Sequence, residues 1–216
     1  ELRYQILPYL YTVFEEHTRS GDPILRSLIY LDADDPECHN RVEEFGVGPS
    51  LLTCPISKPG VEGRWFYPPK GLWYDFWTNE KVLGAEERWV DVPLESTPLF
   101  VRAGTILPLS PVRLSSSVVL PYMELHAYLA DEEGEGGLYE DAGDGYGVAI
   151  KKTFKLRDQK LIQTRSGEFQ PNYSGYHLII HGAAWNKFSI DGGKKMPFEC
   201  GKVFELPECF ELVQFW

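Results

Sequence analysis

The sequence predicts a mainly β protein that begins with a single α-helix. Apolar residues recur at three- and four-residue steps only in the first twenty positions, and short β-type runs separated by Gly, Pro and Asn turns follow. The chain has 216 residues, of which 43% are hydrophobic and 14% aromatic. It is therefore long enough and apolar enough to bury a sizeable core.

The N-terminal segment has the period of an amphipathic helix. Its apolar face is formed by Leu2, Ile6, Tyr9, Leu10, Val13, Phe14 and His17. Because Pro8 lacks a backbone N–H, the helix either kinks there or starts there with Pro8 in its first turn. Arg19 and Gly21 form a helix stop, so the pattern predicts a helix over residues 2–19.

The β-type runs form two series. The first comprises residues 24–30, 50–56, 64–67, 71–76, 88–92, 98–102 and 105–109. The second comprises residues 123–130, 137–140, 151–156, 160–164, 176–181, 188–190 and 210–215. Between them, residues 110–121 combine prolines with three consecutive serines, as linkers do. We expect two antiparallel β-sandwiches and three segments, at residues 1–20, 21–112 and 113–216.

The charge of the chain argues against several classes of partner. Thirty-two Asp and Glu residues against 21 Lys and Arg residues give a net charge of −11, which disfavours nucleic acids and anionic membranes. No apolar run approaches the roughly 18 residues that cross a bilayer, and the first residues lack the pattern of a secretory signal. We therefore expect neither a nucleic-acid nor a membrane partner.

The four cysteines, Cys38, Cys54, Cys200 and Cys209, lack the spacing of a zinc site. We expect buried or partly buried free thiols, with a structural metal or a Cys200–Cys209 disulfide as alternatives. Free thiols favour a reducing cytoplasm. No cofactor is expected.

The aromatic residues cluster unusually densely. They lie in Trp65-Phe66-Tyr67, in Trp73-Tyr74-Asp75-Phe76-Trp77 and at Trp89. Sugar rings stack on flat aromatic faces, so a lectin-like platform is one interpretation. Aromatic residues also favour strands and fill sandwich cores, and core packing is the favoured interpretation.

Residues 138–147 combine three carboxylates with glycines but do not predict a calcium site. If Gly145 is the glycine of an EF-hand loop, Ala142 falls on a position that needs an oxygen ligand. A hairpin turn in which Asp side chains cap backbone N–H groups accounts for the same residues.

Other titratable residues predict no active site. Glu15, Glu16, Asp32, Asp34 and Asp35 lie on the polar helix side or in a loop, where we expect solvated surface. The five histidines, His17, His39, His126, His177 and His181, have no recognisable nucleophile motif beside them. We expect no catalytic, cofactor-binding or metal-ligating residue in this chain.

Four separated motifs resemble one enzyme family. They are residues 2–12 (LRYQILPYLYT), 21–26 (GDPILR), 68–78 (PPKGLWYDFWT) and 98–109 (PLFVRAGTILPL). In this order they are similar to the C-terminal third of glycoside hydrolase family 31, the α-glucosidase and α-xylosidase family. Residues 139–147 resemble the hairpin of its distal C-terminal β-domain. Ser27, residues 44–48 and Thr78-Asn79 depart from the family pattern, and the likeness fades after about residue 160.

The resemblance implies that residues 1–20 are the last helix of a (β/α)₈ catalytic barrel and that a proximal and a distal β-sandwich follow. The catalytic nucleophile and acid/base Asp of the family lie on earlier barrel strands, and no such motif occurs in these residues. The chain does not begin with Met, so we expect an upstream portion and no glycosidase activity from this chain alone.

The expected function is that of the C-terminal portion of a retaining α-glycosidase, chiefly an α-glucosidase. It would brace the barrel and help to shape the pocket rim, with the rest of the parent enzyme as its partner and an oligosaccharide as the parent's substrate. The alternatives are an independent carbohydrate-binding module and a purely structural or oligomer-forming sandwich. The apolar helix face predicts dimerisation or poor solubility if no partner covers it.

Overall fold

The computed structural model describes residues 1–113, 115, 118–143 and 147–216, and strands dominate these residues. The predicted mainly β fold is confirmed. The helices are α1 (Leu2–Gln5), α2 (Leu7–Ser20) and α3 (Leu28–Leu31), and Pro36–His39 forms a 3₁₀ turn. No helix in this described part of the chain is both long and apolar enough to cross a bilayer.

The strands in chain order are β1 (Leu25–Ser27), β2 (Phe45–Val47), β3 (Leu51–Thr53), β4 (Gly63–Phe66), β5 (Leu72–Asp75), β6 (Lys81–Leu83), β7 (Arg88–Asp91), β8 (Leu99–Arg102), β9 (Thr105–Leu109), β10 (Met123–Tyr128), β11 (Gly134–Asp141), β12 (Ala149–Arg157), β13 (Lys160–Gly167), β14 (Gly175–His181), β15 (Lys187–Ile190), β16 (Met196–Pro197), β17 (Val203–Pro207) and β18 (Leu212–Phe215).

The ends of α2 follow from its sequence. Ile6 separates α1 from α2 with φ −83° and ψ −1°, and Pro8 occupies the first turn of α2, where its missing N–H breaks no helical hydrogen bond. At the other end Gly21 has a φ of 78°, the left-handed conformation in which glycine ends a helix. The predicted start and stop of the helix agree with the structure.

Residues 21–103 form one of two compact units, called here the inserted unit. Its six-stranded antiparallel sheet has the order β1-β2-β3-β8-β5-β6, and β4 pairs with β7 in a separate ribbon. The ring of Phe66 in the ribbon stacks on the ring of Phe100 in the sheet with centroids 4.4 Å apart. Trp73, which is fully buried, belongs to the same core. Large aromatic rings thus join ribbon and sheet.

One predicted strand is partly wrong. Of residues 24–30, only β1 is extended, and the chain then turns into α3. In α3 the Leu28 side chain is buried, whereas Ile29 and Tyr30 are 41% and 46% exposed. A short apolar run fits one helical turn as well as a strand, so its period could not decide between them.

Residues 1–20 and 104–216 form the other compact unit, called here the discontinuous unit. Its ten-stranded sheet has the order β16-β15-β18-β13-β12-β11-β9-β10-β14-β17. Phe198, which directly follows β16, stacks on Phe204 of β17 with ring centroids 4.6 Å apart. Because β16 and β17 are the two edges of the sheet, the sheet curls round a shared core.

Two pairings depart from the antiparallel prediction. β10 pairs with β14 in parallel, and β11 meets β9 in parallel at Glu135 and Thr105. The chain passes through β11, β12 and β13 before it returns to β14, and this long connection permits the parallel pairing. A Cβ at Gly136 would lie 1.8 Å from the Ile106 carbonyl oxygen, so β9 and β11 approach closely only because residue 136 is glycine.

The compact units divide the chain between Ala103 and Gly104, whereas the sequence predicts a boundary near residue 112. The reason is β9, which pairs with β10 over Thr105–Leu109 and so belongs to the discontinuous unit. The sequence prediction also misses four short strands. These are β2, β6, β16 and β17, of which the last three are sheet edges. Short edge strands carry little alternation for a sequence to show.

Candidate functional site

Helix α2 lies along β11 at a point where β11 needs further partners. β9 pairs with β11 only at Glu135. Backbone groups later in β11 therefore have no partner in β9, and one of them hydrogen-bonds to the helix instead. The Tyr139 N–H donates to Thr12 Oγ1 at 3.0 Å, and the Thr12 hydroxyl donates to the Pro8 carbonyl at 2.9 Å. Helix α2 together with this stretch of β11 is called here the helix-docking site.

Tyr11 and Asp141 make a second contact in the helix-docking site. The Tyr11 hydroxyl lies 2.8 Å from each carboxylate oxygen of Asp141, and Asp141 Oδ1 accepts the Gly143 N–H at 2.8 Å. Burial, and then Asp141, raises the pKa of Tyr11 to about 12. Burial alone would raise the pKa of Asp141, but hydrogen bonds from Tyr11 and Gly143 hold it below its ordinary value. A protonated phenol thus anchors an ionised carboxylate.

A third contact fixes the residues just before α2. Ser110, which follows β9, donates its N–H to the Gln5 carbonyl at 2.8 Å and its hydroxyl to the Tyr4 carbonyl at 2.6 Å. The serine is fully buried. Phe14, by contrast, belongs to the predicted apolar face but is 51% exposed. The helix therefore has partners within the chain, although one large apolar side chain stays in solvent.

A groove of about 450 Å³ opens beside the helix-docking site. It is lined by side chains from α2, from β11 and from the segment before β14, among them Pro8, Tyr11, Glu140, Phe169 and Tyr173. Its volume lies within the range of small-molecule sites. Glu140 and Tyr173 connect it to a buried network of charges.

Lys152 is the centre of that network and is fully buried. Its Nζ lies 2.9 Å from Glu140 Oε2, 2.7 Å from Glu208 Oε1 and 2.7 Å from the Tyr173 hydroxyl oxygen. The Tyr173 hydroxyl donates to Glu140 at 2.8 Å, and Arg165 Nη1 reaches the second oxygen of Glu208 at 2.9 Å. Two cations thus meet two carboxylates inside the discontinuous unit.

The network keeps Lys152 charged. Burial alone would lower the pKa of the ammonium, but Tyr176, Glu140 and Glu208 together outweigh burial and raise it. Sequence reasoning missed this residue, although a signal existed. Ile150, Lys152 and Phe154 alternate on the inward face of β12, so a lysine sits where an apolar residue is expected. A cation held by two carboxylates in a core indicates structural rather than catalytic work.

The carboxylates that could nominally serve a glycosidase do not line the groove; they are Glu15, Glu16, Asp32, Asp34 and Asp35. Glu15 pairs with Arg19 on α2, and Asp34 is exposed. Asp35 accepts hydrogen bonds from the Tyr67 hydroxyl at 2.6 Å and the Glu37 N–H at 3.0 Å, so it is a turn cap rather than free surface. Asp75 likewise caps a turn, because its Oδ1 accepts two N–H groups at 2.8 Å.

The histidines divide between surface and interior. His177 stacks on Tyr122 with ring centroids 3.5 Å apart. His126 Nδ1 lies 3.3 Å from His181 Nε2, and the His181 ring stacks on Tyr128 at 4.4 Å. Burial, and then His126, lowers the pKa of His181 to about 4. The buried His181 imidazole is therefore neutral. Among the described residues, no three His, Cys, Asp or Glu side chains gather as metal ligands would.

The aromatic cluster is split between core and surface. Phe66, Trp73 and Tyr74 are buried, as core packing predicts. Trp65, Trp77 and Trp89 are 56%, 44% and 51% exposed. The core interpretation is therefore wrong for these three tryptophans.

All four cysteines are free thiols, Cys38 and Cys54 buried and Cys200 and Cys209 exposed. The Cys200–Cys209 disulfide considered from sequence is therefore absent. Burial raises the pKa values of Cys38 and Cys54 to about 12, so both stay protonated. In the glycine-rich turn, Asp141 caps Gly143 as expected. Asp144 and Gly145, which the calcium interpretation needs, lie outside the described residues.

Comparison with known proteins matches this β-rich chain to one region of larger, carbohydrate-active proteins. Residues 21–107 match the glycosyl hydrolase family 31 C-terminal domain. The chain is 31% identical over 204 residues to Alpha-glucosidase 2 of Bacillus thermoamyloliquefaciens, covering 90% of this chain and 26% of that protein. It is 35% identical over 147 residues to an Alpha-xylosidase of Saccharolobus solfataricus, covering 67% and 20% respectively.

A solved structure agrees. The Flavobacterium johnsoniae GH31 dextranase complexed with glucose superposes with a TM-score of 0.79 at 29% identity, covering 91% of this chain and 26% of that one. The chain belongs to the C-terminal region of glycoside hydrolase family 31. The chain spans about a quarter of the length of the Bacillus α-glucosidase and of the dextranase.

Proposed function

We propose that this chain is the C-terminal portion of a retaining α-glycosidase, chiefly an α-glucosidase, where it braces the catalytic barrel and helps to shape the pocket rim. Similarity to α-glucosidases and an α-xylosidase supports the proposal. In it, residues 1–20 are the last barrel helix, and the two segments predicted at residues 21–112 and 113–216 are two β-sandwiches, with β9 assigned to the second by its pairing with β10. The rest of the enzyme is the partner, and neither nucleic acid nor membrane is involved.

The docking of α2 carries the proposal. Three contacts tie the helical segment to the β-rich part of the discontinuous unit: Thr12 to Tyr139, Tyr11 to Asp141, and Ser110 to the backbone before α2. If α2 belongs to a barrel, these contacts fix the barrel's last helix to strands that follow it. A helix held at several points resists local opening, and bracing is the consequence.

A retaining glycosidase needs two catalytic carboxylates, which this proposal assigns to the rest of the enzyme. One carboxylate attacks the anomeric carbon and forms a covalent glycosyl-enzyme, while a second donates a proton to the leaving oxygen and later activates water. Asp35 caps a turn, and Glu140 and Glu208 are ion-paired with Lys152. In this proposal both catalytic carboxylates come from outside these residues, and so does the choice of sugar and linkage.

The test uses the full-length enzyme with Thr12→Val or Asp141→Asn. We expect hydrolysis of an α-glucoside to keep its kcat/KM at low temperature but to lose activity several-fold faster on heating, because the helix is held less firmly. Glu135→Gln, which removes an exposed ion pair with Lys155 at 3.2 Å, is the control and should change neither quantity. A tenfold loss of kcat/KM at unchanged heat resistance would contradict bracing, and so would heat inactivation identical to wild type.

A further inference from the structure

The ribbon of β4 and β7 presents two tryptophans side by side on its surface. Trp65 and Trp89 are direct cross-strand partners, with ring centroids 5.8 Å apart and planes at 77°. Both rings are more than half exposed. Exposed apolar area of this kind on a folded protein marks a binding surface more often than scattered single residues do.

Trp89 is held flat on the strand beneath it. A Cβ at Gly63 would lie 2.4 Å from the Trp89 ring, so one face of the indole covers the Gly63 backbone. The indole Nε1–H donates to Asp91 Oδ1 at 2.9 Å, which fixes the ring's rotation. Covering a strand glycine explains the position of Trp89, but it leaves the exposure of Trp65 unexplained. The two rings together offer one flat face and one edge to a ligand.

The area of the pair indicates the size of its occupant. A whole tryptophan has an area of up to about 250 Å², so two rings at roughly half exposure offer about 250 Å² together. A stable protein interface needs about 800 Å² from each partner. The pair alone supplies about a third of that area, and its size matches one or two sugar rings.

The charges around the pair indicate the chemistry of the occupant. Arg64 is already engaged, since its Nη1 lies 2.9 Å from the Pro55 carbonyl oxygen and its Nη2 lies 3.4 Å from a Glu43 carboxylate oxygen. Asp91 is exposed and acidic, which disfavours an anion. A cation would gain little, because cation–π attraction is weak at exposed rings. A neutral polyol can stack on the indole and donate hydroxyl groups to Asp91.

We propose that Trp65, Trp89 and Asp91 form a surface site for a neutral oligosaccharide. One pyranose ring stacks on the outer face of Trp89, Trp65 flanks the next ring, and Asp91 accepts a sugar hydroxyl. The assignment to an oligosaccharide rests on the site itself, whereas the narrower assignment to an α-glucan rests on the proposed function.

The experiment follows the six tryptophan indole N–H signals of the ¹⁵N-labelled chain by NMR during titration with isomaltotriose or maltotetraose. The signals of Trp65 and Trp89 should shift together with a millimolar dissociation constant, while that of buried Trp73 stays fixed. Trp89→Ala should weaken binding at least tenfold. Trp77→Ala is the matched control, because Trp77 is also exposed but donates its Nε1–H to the Thr97 carbonyl.

Several results would overturn the site. They are the absence of shifts with every sugar, equal weakening by Trp77→Ala, stronger shifts with choline than with sugar, and concentration-dependent dimerisation that Trp89→Ala abolishes. If Trp89→Ala does not fold, the pattern of shifted wild-type signals decides. Shifts with cellotetraose but not with α-glucans would uphold the carbohydrate site and overturn its α-glucan assignment. Because the readout is binding, it is independent of the hydrolysis that tests the proposed function.

Discussion

Thr12 Oγ1 accepts the backbone N–H of Tyr139 at 3.0 Å, so a side chain in α2 satisfies a backbone group of β11, a strand far along the sequence. Thr12→Val keeps the shape but leaves that N–H without its acceptor. We expect a loss of about 1–3 kcal/mol in the free energy of unfolding, measured with urea. Thr12→Ser keeps the hydroxyl and should lose less than half as much. Equal losses would show that the threonine methyl group, not the hydrogen bond, holds the helix.

Lys152→Met should be among the most destabilising single changes in the discontinuous unit. It leaves the carboxylates of Glu140 and Glu208 without the cation between them, and breaking a buried ion pair costs about 3–5 kcal/mol. The control on the same strand is Lys155→Met, because the Lys155–Glu135 pair is 62% and 60% exposed. That change should cost less than about 1 kcal/mol in the same urea experiment.

A triple variant checks the cause. If Lys152→Met destabilises through unpaired carboxylates, adding Glu140→Gln and Glu208→Gln should restore part of the lost stability. No recovery would indicate that packing of the lysine stem, rather than its charge, is what the core requires.

Helix α2 could be predicted from the sequence, whereas the surroundings of Lys152 could not. Helix α2 was predictable because Pro8 and Gly21 punctuate a local 3.6-residue period, and local signals survive in any fold. The partners of Lys152 come from β11, from the turn after β17 and from the segment before β14, so only the sheet topology brings them together. The exposure of Trp65 and Trp89 depends in the same way on the register of β4 with β7.

His181 should make stability depend on pH. Its folded pKa of about 4 lies below the value of about 6.5 expected for an unfolded chain. Between these values the unfolded state binds a proton that the folded state does not, so stability falls as pH falls from about 6.5 to 4, by up to about 3 kcal/mol. Urea midpoints across this range should fall less for His181→Asn. An identical pH slope in the variant would show that other groups cause the loss.

Trp73 and Trp77 should respond differently to truncation. Trp73 is fully buried and donates its Nε1–H to the Pro69 carbonyl at 2.8 Å, so Trp73→Ala should cost about 3–5 kcal/mol. Trp77 is 44% exposed, and Trp77→Ala should cost less than half as much. Thermal unfolding followed by near-UV circular dichroism compares them. Similar losses of stability would mean that Trp77, although partly exposed, contributes as much to packing as Trp73 does.

The purified chain should release no 4-nitrophenol from 4-nitrophenyl α-glucoside. A retaining glycosidase needs a nucleophile and an acid/base carboxylate on opposite sides of one bond, and the motif that carries them is absent from the sequence. Asp75→Asn and Asp141→Asn should change folding stability and no catalytic rate. Turnover above background that a single carboxylate change abolishes would place a complete active site in this chain.

The discontinuous unit also sets an order of events during synthesis. Helix α2 leaves the ribosome before the inserted unit, whereas Tyr139 and Asp141 emerge only after the whole inserted unit has been translated. Because the inserted unit is continuous in sequence, it folds as soon as it has emerged, while the helix waits for distant partners. A nascent chain that has emerged from the exit tunnel only as far as residue 103 therefore carries a folded inserted unit and a helix that still lacks its partners in β11. Its apolar side is then a target for chaperones, until β11 clears the exit tunnel and buries it.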